Sequence, residues 1–548
     1  MTAPPARDPS APRAWDGIGQ ALVLVALSLL AWLPSAVGGG FSFDDREAIE
    51  GNPVVEGGLP WTAAFQQDYW EHRGAAGHFR PLASLSLRFD RAAWGEQGAG
   101  FHATNVILHA LVVFAAAMLA RRWFGRERSW PWVGLALFAV HPVLADSVAW
   151  ISGRSSMLAA LPGLCAALFI ARSDASESAP RGKWFGLFAL GFVGTGLASL
   201  GKEDGLLWIF ALPCLAARRG RSAVVATAMG CVCGALAMFA LRGEALGSIG
   251  INAPNAPLAA AAIEDRLLVG GRVFLEALRL AVWPASYAPS YSGDPVFSVA
   301  AMRAAPWLGI LGLVAWVAML GVAIVSARRS RGIASVSACL ALIAWIPFLG
   351  IVPAGEIFAP RFLYLPLLFA IPLVHAGAVL AFGRRATLVA GLAVLLALAA
   401  AWSRGRVYSS RGAFRHAVLT QRPDDVPSWN DLGLFHEENG DLARARESWL
   451  HATTLDPHYS RAWSNLGRVE LGLGHPEAAL ALLERAVQEG PKNAIAHLNL
   501  GSARMAVRDW VRAEENYRAA IRLAPGLAPA REGLARSLKA QGREEGVR

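Results

Sequence analysis

The chain has 548 residues, of which 54% are hydrophobic, and its mean hydropathy is +0.38. These values exclude an ordinary soluble globular protein, whose apolar share is typically lower. The formal net charge of +10 comes mostly from arginine clusters between apolar segments. Because that charge is explained by membrane topology, it gives no reason to expect nucleic-acid binding.

Apolar runs of about 20 residues recur up to residue 403, and such a run is long enough to cross about 30 Å of hydrocarbon. They predict a polytopic, all-α membrane region (residues 1–403) followed by a soluble domain (residues 404–548). Residues 264–283 are a doubtful further span, since Arg266, Arg272, Glu276 and Arg279 share one face and favour a helix at the interface or over a site. The first span is interpreted as an uncleaved helix, since a signal peptide would be shorter. The eleven predicted spans are 18–38, 103–120, 131–149, 155–171, 184–200, 205–217, 222–241, 304–326, 334–352, 361–381 and 386–403.

Arginine clusters occupy alternate loops, as the positive-inside rule predicts for the cytoplasmic face. They include Arg121 and Arg122, Arg218 and Arg219, and Arg384 and Arg385. The N-terminus is therefore expected in the cytoplasm. The large first loop (residues 38–102) and everything after the last span are expected outside it.

Residues 429–525 repeat with a period of 34. Trp429, Gly433 and Pro457 in the first unit correspond to Trp463, Gly467 and Pro491 in the second. This pattern is similar to the tetratricopeptide repeat, a pair of helices packed through small residues. Such arrays form an α-solenoid whose surface binds peptides, while a spacer or a dimerisation surface is the alternative.

Polar residues that are costly at membrane depth gather on the predicted outer side. Because the orientation came from the cytoplasmic arginines, this clustering is an independent observation. The residues are Asp44, Asp45, Arg80, His102, Asn105, His109, His141, Asp146, Arg154, Lys202, Glu203, Asp204, Glu356 and Arg361. Cations here can hold the phosphate of a lipid-linked donor, and a carboxylate can take the proton of an attacking hydroxyl.

Several motifs resemble one family when they are taken in order along the chain. They are "FDD" with a later Asn, "FRPL", "FHATNVILH", "HPVLADSVAWISGR", "GKED" and "RFLYLP", followed by the repeats. The chain thus resembles the transmembrane and tetratricopeptide-repeat O-mannosyltransferases, a group of glycosyltransferases with the GT-C fold.

The resemblance implies a polyprenyl-phosphate-linked sugar donor and inverting transfer to Ser or Thr hydroxyls of a protein acceptor bound through the repeats. It implies that one of Asp44 and Asp45 is the catalytic base, and the choice between the two stays open. It places Arg80, Arg154, Lys202 and Arg361 at the donor phosphate. His102, Asn105, His141 and Glu203 are expected to line the site. The motif around Arg361 departs from the family, which more often has an acidic residue directly before the arginine.

Three alternatives remain open at the level of the sequence. The chain could be a non-catalytic, membrane-anchored repeat scaffold for envelope assembly, or a transporter or lipid-glycan polymerase. A divalent cation bound by the aspartate pair is also open, and no other cofactor is indicated.

Compact loops suggest a bacterial protein of the inner membrane with its repeats in the periplasm. All five cysteines lie in apolar segments, so no disulfide framework is expected.

Overall fold

A computed structural model describes residues 15–42, 45–70, 77–124, 130–172, 181–247, 258, 260–284, 295–330, 333–350 and 356–543. All the regular secondary structure in these residues is helical. The chain divides into two compact units, Met1–Ser410 and Arg411–Arg548. Asp44 lies outside the described residues, as does most of the segment 283–294 that follows the doubtful span.

The first unit contains sixteen described α-helices, most of them apolar. They are α1 (Trp15–Gly38), α2 (Asp45–Ile49), α3 (Pro81–Trp94), α4 (Gly98–Phe124), α5 (Trp130–Ala139), α6 (Ala145–Val148), α7 (Ser155–Arg172), α8 (Arg181–Gly201), α9 (Trp208–Ala216), α10 (Arg221–Leu246), α11 (Ile263–Val282), α12 (Val299–Ala304), α13 (Pro306–Ser330), α14 (Ile333–Ile343), α15 (Tyr364–Phe382) and α16 (Ala386–Val407).

Seven helical segments of the described chain are long and apolar enough to cross a membrane. They lie in α1, α4, the region of α7, α8, α10, α13 and α16. The helical, polytopic architecture predicted from the sequence is therefore confirmed. The other four predicted spans correspond to α5, α9, α14 and α15, which are not among the seven segments. The number of eleven spans therefore stays a prediction.

The segment predicted as one span over residues 131–149 is divided in the structure. Helix α5 ends at Ala139, a 3₁₀ turn covers Pro142–Leu144, and α6 follows. Pro142 explains the break, because proline lacks an amide N–H and keeps the preceding His141 out of the helical conformation. His141 has φ −69° and ψ 118°. The break brings the polar residues of this segment to the end of the helical bundle.

Helix α11 is amphipathic, and three of its charged residues, Asp265, Glu276 and Arg279, form ion pairs. Glu276 pairs with Arg279 at 2.6 Å, and Asp265 pairs with Arg303 at 2.5 Å. The helix packs closely on α13, where a Cβ on Gly271 would lie 2.1 Å from the carbonyl oxygen of Gly309. It is not among the seven apolar segments, so its relation to the membrane stays open to experiment.

Helices α8 and α10 approach each other through glycine. A Cβ added to Gly230 would lie 2.0 Å from the carbonyl oxygen of Phe188, and one added to Gly234 would lie 2.4 Å from that of Phe192. Small residues permit such backbone contact between membrane helices. The contact fixes the end of α8, where Lys202 follows, relative to Arg242 near the end of α10.

The second unit is an array of eight helices joined by short turns. They are α17 (Arg411–Gln421), α18 (Val426–Glu438), α19 (Leu442–Leu455), α20 (Ser460–Gly472), α21 (Pro476–Glu489), α22 (Ala494–Ala506), α23 (Trp510–Leu523) and α24 (Ala528–Ala540). Helix α24 is the last helix of the described array. Its core includes Trp449, Leu483 and Tyr517, which recur at the same spacing of 34 residues and are each at most 1% exposed.

Candidate functional site

A cavity of about 530 Å³ lies where several helices of the first unit begin or end. Three predicted cations, Arg80, Lys202 and Arg361, line it together with Glu203. Arg80 precedes α3, Lys202 and Glu203 follow α8, and Arg361 lies in the 3₁₀ turn before α15. Residues from three distant parts of the sequence thus meet in one cavity.

Each of these cations forms an ion pair with a carboxylate. Arg80 Nη2 lies 3.2 Å from Glu203 Oε2, and Lys202 Nζ lies 2.8 Å from Asp204 Oδ2. Burial alone would raise the pKa of Glu203, but the charge of Arg80 and the contact with His78 outweigh it and hold that pKa well below its usual range. Glu203 is therefore ionised at neutral pH, and its negative charge holds the Arg80 guanidinium in the cavity.

Arg361 is held by two carboxylates and an aromatic ring. Its Nη2 lies 2.5 Å from Glu356 Oε2, and its Nη1 lies 3.1 Å from Asp146 Oδ2. The guanidinium carbon lies 4.7 Å from the ring centroid of Trp150. Glu356, five residues before the arginine, thus pairs with it although the residue directly before Arg361 is proline.

The cavity is polar at one part of its wall and apolar elsewhere. Its apolar lining comes from the turn after α8, from α9 and α10, and from the region before α15. Examples are Leu206, Phe210, Met238, Phe239 and Phe348. A ligand that fits this wall has an anionic or polar group next to a long hydrocarbon part.

Asp45 is fully buried and accepts four hydrogen bonds. The backbone N–H and hydroxyl of Ser42 donate to Oδ2 at 3.1 and 3.0 Å. Those of Ser152 donate to Oδ1 at 3.0 and 3.3 Å. Burial raises the pKa of Asp45 to about 6, although the four hydrogen bonds favour the ionised form. Asp45 thereby ties the acidic segment to Ser152, which lines the cavity.

Backbone contacts also hold the segment before the aspartates. Gly40 N–H donates to the Ser409 carbonyl at 3.0 Å, and a Cβ at Gly40 would lie 2.5 Å from that oxygen. Gly39 has a φ of +65°, which favours glycine. Two glycines thus allow the chain to turn from α1 into the acidic segment.

Arg154 differs from the other predicted donor-binding cations. It is 0% exposed, its Nη1 lies 2.6 Å from Asp90 Oδ2, and its Nη2 donates to the Phe101 carbonyl at 3.1 Å. None of its atoms is part of the cavity lining. Arg154 is therefore a buried ion-pair partner that joins α3 and α4 to the turn before α7.

His102 and Asn105 of α4 and His141 are not among the residues that line the cavity. His102 Nε2–H donates to the Gly40 carbonyl at 2.8 Å, and Asn105 Nδ2 donates to the carbonyls of Trp150 and Ile151 at 2.7 and 3.2 Å. His141 Nε2–H donates to the Ala281 carbonyl at 3.2 Å. These polar contacts are with backbone carbonyls, and the expected place of the three residues in the site stays a prediction.

Arg242 is a cavity residue that sequence reasoning missed. It is 2% exposed, and its Nη2 donates to the Gly77 carbonyl at 2.7 Å. Its Nη1 lies 4.0 Å from Glu203 Oε1. The available signal was an arginine directly after the predicted span 222–241, a position where a charge is costly unless it is paired.

A metal site is not assembled by the part of the chain that the structure describes. Those residues contain no group of three or more His, Cys, Asp or Glu side chains placed to hold a metal ion. Asp44 is not among them, so the metal expected as an alternative at the aspartate pair is untested.

Two tetratricopeptide-repeat family models match the chain, at residues 426–459 and 464–528. The repeats predicted from the period are confirmed. A protein O-mannosyl-transferase of Caenorhabditis elegans is 26% identical over 469 residues, covering 81% of this chain and 64% of that protein. Protein O-mannosyl-transferase TMTC2 of Mus musculus is 32% identical over 195 residues, and TMTC1 of Mus musculus is 38% identical over 201 residues. Each of these two matches covers 34% of this chain, and 22% and 21% of the respective relative.

The resemblance to the transmembrane and tetratricopeptide-repeat O-mannosyltransferases is confirmed. The chain aligns with less than two thirds of the length of each of these three relatives. Together with the seven apolar segments, the relatives identify an integral membrane protein with a repeat domain.

Proposed function

We propose that this protein is a membrane glycosyltransferase that transfers a mannose-like sugar from a polyprenyl-phosphate donor to Ser or Thr hydroxyls of proteins. The observation that carries the proposal is the single cavity in which Arg80, Lys202 and Arg361 lie beside an apolar wall. The names of the relatives support the same reaction class.

The donor phosphate would bind among the three cations. Guanidinium and ammonium groups form strong hydrogen bonds with phosphate oxygens and stabilise the negative charge that develops as the sugar leaves. Each cation already has a carboxylate partner, so the phosphate must share these cations with the acidic residues. The hydrocarbon part of the donor would lie against the wall that includes Phe210, Met238 and Phe348.

Asp44 is the better candidate for the catalytic base. Asp45 is the better candidate for a residue that positions this base. The Asp45 carboxylate is fully buried and its two oxygens are occupied by Ser42 and Ser152. A base must reach the proton that it removes, within about 3 Å or through one water. Asp45 would therefore fix the segment, and its neighbour in the chain would act on the acceptor.

The chemical step is a single displacement. The acceptor oxygen attacks the anomeric carbon while its proton passes to the base, and the bond to the phosphate oxygen breaks. The electron pair of that bond leaves with the polyprenyl phosphate, whose charge the cations stabilise. One attack inverts the anomeric configuration and requires no nucleophile from the protein.

The repeats would hold the acceptor protein or a partner that delivers it. Arrays of tetratricopeptide repeats provide an extended surface for such binding. The proposed location is a bacterial inner membrane, with the cavity and the repeats on the periplasmic side. The orientation follows from the distribution of arginines and the bacterial membrane from the compact loops, and both are part of the proposal.

The test is sugar transfer by purified protein in lipid vesicles that contain radiolabelled polyprenyl-phosphate mannose and a Ser- and Thr-containing acceptor peptide. Asp44→Asn should abolish transfer while the elution profile and thermal midpoint in detergent stay near those of the wild type. Asp45→Asn should lower transfer and also lower the thermal midpoint, because the buried hydrogen bonds with Ser42 and Ser152 are disturbed.

Full transfer by Asp44→Asn would exclude the assignment of this base. If Asp45→Asn alone were inactive and otherwise stable, the two roles would be exchanged. A wild-type protein that transfers no sugar but retains acceptor or partner proteins through its repeats would support the scaffold alternative.

A further inference from the structure

Asp204 has one carboxylate oxygen without a hydrogen bond in the described part of the chain. Its Oδ2 lies 2.8 Å from Lys202 Nζ, whereas Oδ1 is buried and accepts no hydrogen bond there. The residue is 7% exposed and lines the cavity. A buried acceptor left without a donor is unfavourable, and more so when it is charged, so a ligand that supplies the donor is favoured.

Glu203, the residue before Asp204, also has one carboxylate oxygen without a hydrogen bond in the described part of the chain. Glu203 Oε2 accepts from Arg80, while Oε1 accepts no hydrogen bond among the described residues. The nearest basic groups to Oε1 are His78 Nδ1 at 3.7 Å and Arg242 Nη1 at 4.0 Å. Two successive cavity-lining residues thus each carry one buried carboxylate oxygen without a hydrogen bond, on a side chain whose other oxygen is paired with a cation.

Each of these carboxylates has a cation that neutralises its charge, but one oxygen of each carboxylate accepts no hydrogen bond among the described residues. Glu203 pairs with Arg80, and Asp204 pairs with Lys202, so a further cation is not required for neutrality. A phosphodiester carries no proton to donate, so it cannot occupy the unbonded oxygens. Neutral hydroxyl groups can, because each O–H is a donor to an ionised carboxylate.

We propose that Asp204, assisted by Glu203, accepts hydrogen bonds from hydroxyl groups of the donor sugar and selects the donor by their positions. The inference rests on the proposed glycosyl transfer and goes beyond it by assigning the sugar-binding carboxylates. It places phosphate and sugar next to each other, because Lys202 and Asp204 are themselves in contact. The cavity also contains Trp70 and Trp150, whose rings provide flat apolar surface beside the polar groups.

The experiment compares polyprenyl-phosphate mannose with four synthetic donors that lack the 2-, 3-, 4- or 6-hydroxyl of the sugar. For wild-type protein in vesicles, removal of at least one hydroxyl should lower kcat/KM by roughly 10- to 100-fold, as expected for a hydrogen bond to a charged group. Asp204→Ala should lower kcat/KM for polyprenyl-phosphate mannose. In this variant, kcat/KM for the deoxy donor that the wild type uses poorly should lie within about threefold of the value for polyprenyl-phosphate mannose. Asp204→Asn, which keeps one carbonyl acceptor, should retain part of the discrimination.

Glu356→Gln is the matched control, because Glu356 also lines the cavity but acts on Arg361. It should lower transfer from all five donors by a similar factor and leave the preference among them unchanged. This comparison separates a contact with the sugar from a general loss of activity.

The inference is overturned if wild-type protein uses all four deoxy donors within about threefold of mannose. It is also overturned if Asp204→Ala keeps the full discrimination. If Asp204→Ala does not fold, Asp204→Asn decides by the same comparison, and unchanged discrimination by that variant overturns the inference. A wild-type protein that transfers from none of the donors would instead contradict the proposed function.

Discussion

Arg154 and Lys202 carry the same kind of charge near the same site, yet their surroundings differ. Lys202 lines the cavity with Asp204, while Arg154 is enclosed with Asp90 away from it. Thr104 also donates to Asp90, at 2.7 Å. A buried ion pair contributes mainly by satisfying both charges, so the loss of either partner is far more harmful than the loss of both.

This gives a prediction for Arg154. Arg154→Met should destabilise the protein by about 3–5 kcal/mol, because Asp90 is left as an unpaired buried charge. Arg154→Met combined with Asp90→Leu should recover most of the stability and a measurable fraction of sugar transfer. The measurements are the thermal midpoint in detergent and the transfer rate in vesicles. A double variant that is as stable as the wild type but entirely inactive would indicate that Arg154 contacts the donor.

At the residue scale, the sequence predicted which types of side chain would gather but not which of them would face the cavity. Arg80, Lys202 and Arg361 do line it. The sequence could not show that Arg154 would be enclosed, because Asp90 lies 64 positions earlier and nothing local links the two. Periodicity identifies the face of a helix, while the partner of a charge depends on the packing of separate helices.

At the scale of elements, glycine decides how closely helices approach. In α20, a Cβ on Gly467 would lie 2.4 Å from Leu483 Cγ and 3.2 Å from the Ala479 carbonyl oxygen in α21. Gly472 lies in the same helix and has no atom within 4 Å of its Cβ position. The two glycines therefore form a matched pair, one required by packing and one not.

Gly467→Ala should destabilise the repeats by about 1–3 kcal/mol, as expected for overpacking in a close contact. Gly472→Ala should be neutral or stabilising by up to about 1 kcal/mol, because alanine has the higher helix propensity. Limited proteolysis of the full chain, with cleavage sites mapped by mass spectrometry, should show faster cleavage around α20 and α21 only for Gly467→Ala. Equal cleavage rates in both variants would contradict this account of the repeat.

The elements themselves were largely predictable, because the apolar runs and the period of 34 are strong local signals. The main difference lies at 131–149, where the apolar run continued past Pro142 while the helix ended at Ala139. Hydropathy measures the cost of placing a segment in lipid and does not report a break in hydrogen bonding. The proline, read as a helix breaker, is the signal that would have located this turn.

At the scale of the whole molecule, the placement of the site depends on the orientation of the helices. The residues lining the cavity include some that precede α3, follow α8, precede α15 or lie near the end of α10. Ser222 at the start of α10 directly follows the arginine-rich loop predicted as cytoplasmic, whereas Glu477 in α21 belongs to the repeats predicted outside. Both side chains are exposed.

Single cysteines at these positions test the orientation. In a variant whose five natural cysteines are replaced by Ala or Ser, Glu477→Cys should react with a membrane-impermeant maleimide on intact bacterial spheroplasts. Ser222→Cys should react only after the membrane is permeabilised, because the positive-inside rule places its arginine-rich loop in the cytoplasm. Retained sugar transfer by both variants is the control for correct folding. The reverse labelling pattern would place the cavity residues on the cytoplasmic side, and a donor presented from the periplasm could then not reach Arg80, Lys202 and Arg361.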